Sequence, residues 1–348
     1  MDCAPSAAAR LLIATVRPDG SVAPWRDADP GTRDAAGRLA TAARLDALLS
    51  ARLGAEAPAA LKERATREVA LARLAWVEGA RVLDGLEAKG CQPIALKGGD
   101  LSARAWPVAW AALPDRATLR AASDLDVLVP DAAASGDAMR ALGYCADTEG
   151  AAHHTRWKRD DGFAFSVEVH HDLFDRPHGL TLELEAQRAR AVLCATPLGD
   201  SRRVLSPEDA FIHVAAHAVY SDALSDAVAT LRAPLDLIAL VSATRLDVST
   251  VAHRAQASGL ASAVSLAAEW TASLLGEGAA FFTELGAALP LAPGWRAALA
   301  RRRTLRLASG ATAGSAPTRT PFTATRALLA PTSASALAML LEGARRRR

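Results

Sequence analysis

The chain has 348 residues, long enough for two or three structural units, and its 40 basic and 38 acidic side chains nearly cancel, which argues against a long nucleic acid or an anionic membrane as partner. Hydrophobic residues make up 51% and aromatic residues only 5%, a bias toward alanine and leucine that predicts a helix-rich α+β protein packed through small side chains. Cys3, Cys91, Cys145 and Cys194 show no C-x-x-C spacing, no apolar run reaches the roughly 18 residues of a membrane span, and the start lacks a signal-peptide layout, so reduced thiols and a cytoplasmic location are expected.

Residues 1–30 are rich in proline, glycine and aspartate, as in Arg17-Pro18-Asp19-Gly20, and are expected to form a flexible lead-in. Over residues 31–89, from Thr32 to Leu53 and from about Ala57 to Lys89, apolar residues recur at three- and four-residue steps. Val69, Leu71, Leu74, Val77 and Val82 mark the second run, and the pattern predicts two N-terminal helices. Gly90 suits a helix end, and Gln92-Pro93 favours an extended continuation.

Residues 90–200 change character and read as a small mixed α/β core. Pro93 to Leu96 is a short buried strand, Gly98-Gly99 a tight turn, and Asp100 to Trp106 the opening of a helix. Leu125 to Val129 is a second strand stopped by Pro130, and Asp131 to Leu142 a helix ending at Gly143. His153 to Arg159 and Phe163 to His171 are extended and flank the hairpin turn Asp160-Asp161-Gly162.

Ser206-Pro207-Glu208-Asp209 is a strong helix start, and residues 201–307 read as a helical domain. Residues 308–348 read as a linker leading to a last helix from Ser335 to Arg345. The arginine runs Arg301 to Arg303 and Arg345 to Arg348 read as solvated helix ends.

The chemistry concentrates in Ser123-Asp124-Leu125-Asp126-Val127-Leu128-Val129. In a strand, Asp124 and Asp126 share one face while Leu125 and Val127 enter the core. Two adjacent like charges need a cation, and hard oxygen ligands suit Mg²⁺ held together with phosphate oxygens; a strand end meeting solvent is the plainer alternative. Ahead of this strand, Lys97-Gly98-Gly99 offers an ammonium and backbone N–H groups to a triphosphate, and Lys97 is one of only four lysines against 36 arginines. Glu168 lies inside the apolar run Phe165 to Val169, where an unpaired charge costs several kcal/mol, so it calls for a partner such as a shared metal; a solvent face alternating Ser166, Glu168 and His170 is the plainer alternative.

His213 and His217 are four apart and share a helix face, a spacing able to hold zinc but lacking a third ligand, so packing or acceptor recognition is the preferred reading. The members of His153-His154 and of His170-His171 are expected to point to opposite strand faces. His170 is an acceptor-side candidate, and Arg232 with Asp236 an i, i+4 pair read first as a surface salt bridge, with a cleft position as the alternative.

The ordered set Leu96-Lys97-Gly98, Arg120, Ser123 to Val129, Leu142-Gly143-Tyr144, Val167-Glu168-Val169-His170 and Leu205 to Asp209 resembles the uncharacterised bacterial nucleotidyltransferase family of the DNA polymerase β type. The resemblance covers roughly residues 90–245. It implies a small mixed sheet, three acidic ligands to Mg²⁺ or Mn²⁺ (Asp124, Asp126, Glu168), and a nucleoside triphosphate donor. It also implies phosphate contacts from Lys97 and Gly98, with Arg120 as a further candidate; Gly99 and Ser123 complete the expected nucleotide-binding set, and His170, His213 and His217 the acceptor-side one. The acceptor, whether small molecule, peptide or protein, is not fixed. One departure is that Gly98-Gly99 stands where many such enzymes have glycine-serine. Two other readings remain: a D-x-D glycosyltransferase using a nucleotide sugar, and a non-catalytic nucleotide- or partner-binding module.

Overall fold

The computed structural model describes residues 5–121, 124–147, 153–161, 165–174, 184–222 and 231–291. The protein is a helix-rich α+β fold around one mixed seven-stranded sheet. Its strands are β1 (Ile94–Ala95), β2 (Asp124–Leu128), β3 (Tyr144–Ala146), β4 (His154–Arg159), β5 (Ser166–His170), β6 (Val192–Thr196) and β7 (Gly199–Val204), in the order β3-β4-β5-β2-β1-β7-β6. β2 runs parallel to β5 and β1 parallel to β7, while the remaining pairs are antiparallel.

Strand alternation gives the sheet two different faces. Leu125, Val127, Val167 and Val169 pack with Val82 and Leu83 of α5 (Ala59–Ala88) and with Met139 of α8 (Ala132–Ala141). The opposite face carries Asp124, Asp126 and Leu128 on β2 and their register partners Ser166, Glu168 and His170 on β5. Over it lie α6 (Lys97–Arg104), α7 (Trp106–Ala109) and the helical part of the chain.

That helical part includes α10 (Pro207–His217), α11 (Arg232–Ala243), α12 (Val248–Ala257), α13 (Ala261–Leu275) and α14 (Ala280–Ala288). Ser206 caps α10, accepting from the Asp209 N–H, with Pro207 in the first turn. A short helix α9 (Leu184–Arg190) precedes the β6–β7 hairpin.

The N-terminal residues correct the expected lead-in. Helices α1 (Ala7–Val16) and α2 (Ala23–Asp27) form there, and Leu12, Ile13 and Val16 are fully buried in the helical core. The Val16 carbonyl accepts from the Trp110 indole N–H at 2.7 Å, and the Arg17 guanidinium donates to the Leu275 carbonyl. The proline-glycine turn at residues 17–20 is thus a bend between helices, which composition alone reads as looseness.

Residues 31–89 also divide differently, into α3 (Pro30–Ala42), α4 (Asp46–Leu53) and α5. On α5 the expected apolar stripe holds only in part: Val82 is buried as expected, but Leu71, Leu74 and Val77 are exposed, and Ala72, Ala75, Gly79 and Leu86 face inward in their place. Close helix-to-sheet packing selects small residues there. An added Cβ at Gly79 would come within 2.8 Å of the buried Leu198 side chain. The expected terminal helix, its linker, Ser123, Gly162 and the arginine runs lie outside the described residues.

Candidate active site

The site is built from strand register. Asp126 on β2 is directly paired with Glu168 on β5, and Asp124, two residues back, shares their face. In the next antiparallel strand, Arg156 is opposite Glu168 and His154 opposite His170. The row Asp126, Glu168, Arg156 therefore crosses three strands on one face, with the row Leu128, His170, His154 beside it.

Lys97 enters this face from above. The Leu96 N–H donates to the Asp126 carbonyl at 2.9 Å, fixing the β1 end to β2, and Lys97 then starts α6 with a left-handed φ of 31°. Its Nζ lies 3.4 Å from Asp126 Oδ2. The helix thus begins at Lys97, and Gly98 and Gly99 belong to its first turn rather than to a preceding one. A Cβ at Gly98 would stand 3.2 Å from an Arg120 nitrogen, and one at Gly99 would strike Leu198 at 2.5 Å. Gly99 is therefore needed for packing.

Asp126 is 7% exposed and both its oxygens are engaged, Oδ2 by Lys97 and Oδ1 by His170 Nε2 at 3.1 Å. Burial alone would raise its pKa, but Lys97 and His170 outweigh it and hold the carboxyl well below the usual range. Asp124 goes the other way: burial and the neighbouring Asp126 charge raise it, against the pull of Lys97 and Arg232. Glu168 is half-buried, with Arg156 on Oε1 at 2.9 Å and the His154 and His170 Nε2 atoms each 3.8 Å from Oε2.

Ligand atoms of Asp126, Glu168 and His170 lie within 4.8 Å of one another, while Asp124 lines the same cleft outside that group. The cleft, of about 230 Å³, is walled by Lys97, Asp124, Asp126 and Glu168 on the sheet side and by His217 and Arg232 on the helical side. A larger cavity of about 620 Å³ between α3, α4 and α5 is lined by residues such as Trp25, Arg33 and Leu61 and holds no such cluster.

Several expectations change here. Arg120, assigned to phosphate by resemblance, is 5% exposed and donates from two nitrogens to Asp236, at 2.8 and 2.9 Å. Asp236 also accepts from the Trp106 indole at 2.8 Å, so it is a buried anchor and not half of a surface pair with Arg232. Arg232 instead lines the cleft.

Of the acceptor-side histidines only His217 reaches the cleft wall. His213 is 1% exposed, packs edge-on against Phe174, and neither of its ring nitrogens has a hydrogen-bond partner among the described residues. Burial and the Lys97 charge keep it neutral, well below the ordinary histidine range. His153 and His154 do not diverge as alternation predicts. β4 begins at His154, and His153 in the turn before it brings Nε2 to 3.0 Å from His154 Nδ1.

Arg156 was not singled out from the sequence and His154 only as half of a divergent pair, although the hairpin register could have placed both on the Glu168 face.

No curated protein and no solved structure matches the chain. Residues 31–276, more than two thirds of its length, match the family model for an uncharacterised nucleotidyltransferase. By that match the chain belongs to the uncharacterised nucleotidyltransferase family.

Proposed function

We propose that the protein transfers a nucleoside monophosphate from a nucleoside triphosphate to an acceptor hydroxyl or similar nucleophile, releasing pyrophosphate, in a Mg²⁺- or Mn²⁺-dependent reaction of the DNA polymerase β type. The observation that carries this reading is the in-register pairing of Asp126 with Glu168 beneath the Lys97 ammonium, with Asp124 on the same face.

The residues fit a hard divalent cation. Two carboxylates and an imidazole lie within 4.8 Å of one another, and a third carboxylate shares the cleft. Such a concentration of acceptors is stabilised by positive charge beyond what Lys97 supplies. Bound there, Mg²⁺ or Mn²⁺ would neutralise the triphosphate and polarise the phosphorus under attack.

The chain's own groups supply the rest. Lys97 and the N–H groups of the α6 first turn are placed to hold phosphate oxygens, with Arg232 facing them from α11. Glu168, turned into the cleft, is the group to accept the proton of the attacking nucleophile, and Arg156 keeps its carboxylate oriented. Arg120 acts through Asp236 and Trp106 by fixing the wall below Gly98. His217 and Arg232 face the sheet across the cleft and would meet the donor or the acceptor.

The test is incubation of the purified chain with each of the four nucleoside triphosphates, Mg²⁺ or Mn²⁺ and cell extract, followed by mass analysis. An acceptor gaining one nucleoside monophosphate, with stoichiometric pyrophosphate and no product from Asp126→Ala, is the expected result. Transfer of a sugar from a nucleotide sugar would favour the glycosyltransferase reading. Nucleotide binding without turnover in any mixture would favour a non-catalytic module.

A further inference from the structure

Beside the carboxylate cleft, the start of β4 brings His153 and His154, which the proposed transfer does not use, up to His170, which it shares. One nitrogen each of His153, His154 and His170 lies within 4.8 Å of the other two. The His153 Nε2 and His154 Nδ1 atoms are 3.0 Å apart, and the three ring centroids are separated by 4.5, 5.0 and 5.5 Å. Two ligands at about 2.0–2.1 Å from one tetrahedral ion stand roughly 3.3 Å from each other, so the closest pair is already near the edge of such a polyhedron.

The surroundings are those of metal-bound histidines. An imidazole ligand commonly has its second nitrogen oriented by a carboxylate. His170 Nε2 is 3.1 Å from Asp126, and His154 Nε2 faces Glu168 at 3.8 Å. His170 is 3% exposed, and its Nδ1 is buried without a hydrogen-bond partner among the described residues, a position to spare on a ring otherwise fixed.

We infer that His153, His154 and His170 form a nitrogen-rich site for a borderline transition ion of the Zn²⁺ class, adjoining the oxygen-rich site and sharing His170 with it. Imidazole selects such ions over Mg²⁺, which prefers carboxylate and water. An ion there would lock the ring that holds Asp126, so occupancy would set the position of that carboxylate. The site does not depend on any transfer reaction.

The experiment uses the full chain without a histidine tag, stripped with chelator, in excess Mg²⁺ to fill the oxygen-rich site. Addition of Co²⁺ should give one equivalent bound with the intense visible bands of four- or five-coordinate cobalt, displaced by one equivalent of Zn²⁺. His153→Ala and His154→Ala should each weaken Co²⁺ binding at least about tenfold, the scale seen when one ligand or its support is lost, while His217→Ala keeps it. X-ray absorption of the Zn²⁺ form of the unaltered chain should show at least three nitrogen neighbours at about 2.0 Å with imidazole scattering, a reading that stands even if a variant fails to fold. An all-oxygen shell, absent cobalt bands, or full affinity in folded His153→Ala and His154→Ala would overturn the site. None of those results touches the nucleotide chemistry, which is read from pyrophosphate and adduct mass.

Discussion

Replacing Asp236 by asparagine tests whether the Arg120 guanidinium is an anchor of the cleft or a ligand for phosphate. Asp236 is 4% exposed and takes three N–H donors: two from Arg120, at 2.8 and 2.9 Å, and the Trp106 indole at 2.8 Å. Burial disfavours the arginine charge, and Asp236 more than offsets this, holding the guanidinium above its ordinary range. Asparagine keeps the size and one acceptor but turns an NH₂ toward the guanidinium and leaves the charge uncompensated. Loss of one partner of a buried pair costs about 3–5 kcal/mol. Because the amide still accepts one bond, we expect about 3 kcal/mol. The assay is denaturant unfolding at neutral pH, read as a fall in midpoint at constant slope. The double variant Arg120→Met, Asp236→Leu should recover most of the loss, since an apolar pair of similar volume is often neutral or better. A folded Asp236→Asn within about 1 kcal/mol of the parent would refute this, as would Arg120→Met that loses nucleotide affinity at unchanged stability.

Two glutamates, the buried Glu78 and the half-buried Glu68, give opposite pH signatures. Glu78, held by Arg81 and also by Tyr144 and Arg159, sits at about 2, so its contribution is full above about 4.5 and is lost as pH falls through 2. The gap between parent and Glu78→Gln should be about 2–3 kcal/mol at pH 7 and shrink toward zero in acid unfolding series. Glu68, pushed by burial to about 7 while accepting the Ala47 N–H, costs stability as pH rises from about 4.5 to 7. Glu68→Gln should flatten that slope in thermal melts taken across the same range. Gly99→Ala should destabilise by about 1–3 kcal/mol through its collision with Leu198, and Leu198→Ala in that background should cost less than in the parent, measured by a double-mutant cycle.

Wherever local chemistry dictates local structure, the sequence was readable. Ser206 sits at the N-cap expected of it, the helix expected from Asp131 to Leu142 forms at Ala132–Ala141, and the alternation of Asp124 to Val129 put both aspartates on one face. The neighbourhood of Glu168 followed once the two runs were adjacent strands. Contacts set by distant partners were not readable. Arg120 and Asp236 are 116 residues apart, and nothing local distinguishes a buried bidentate arginine from a phosphate ligand. α5 misled for a compositional reason: in an alanine-rich chain the larger apolar residues Leu71, Leu74 and Val77 stand outside while Ala72 is buried and Ala75 and Gly79 pack toward the sheet. β6 and β7 were not read as strands because β6 leaves Val192 and Leu193 exposed and β7 is mostly charged and small, and the side of His153 was misjudged because it precedes its strand and so escapes the two-residue period.

Strand β1 has only two residues, yet it is the seam of the whole sheet. Ile94 and Ala95 are its register points to β2, and Ala95 to Val204 its register point to β7. A ladder so brief resists shear weakly, so the β6–β7 hairpin is kept in line by side-chain fasteners instead, Leu198 wedged between Gly79 and Gly99 and Arg202 reaching Glu87 on α5. Lys97 follows this seam after a single residue. Slackening any fastener should therefore shift the ammonium before it unfolds the barrier of strands behind it, making the proposed nucleotidyl transfer a more sensitive gauge of damage at that remote hairpin than any melting curve.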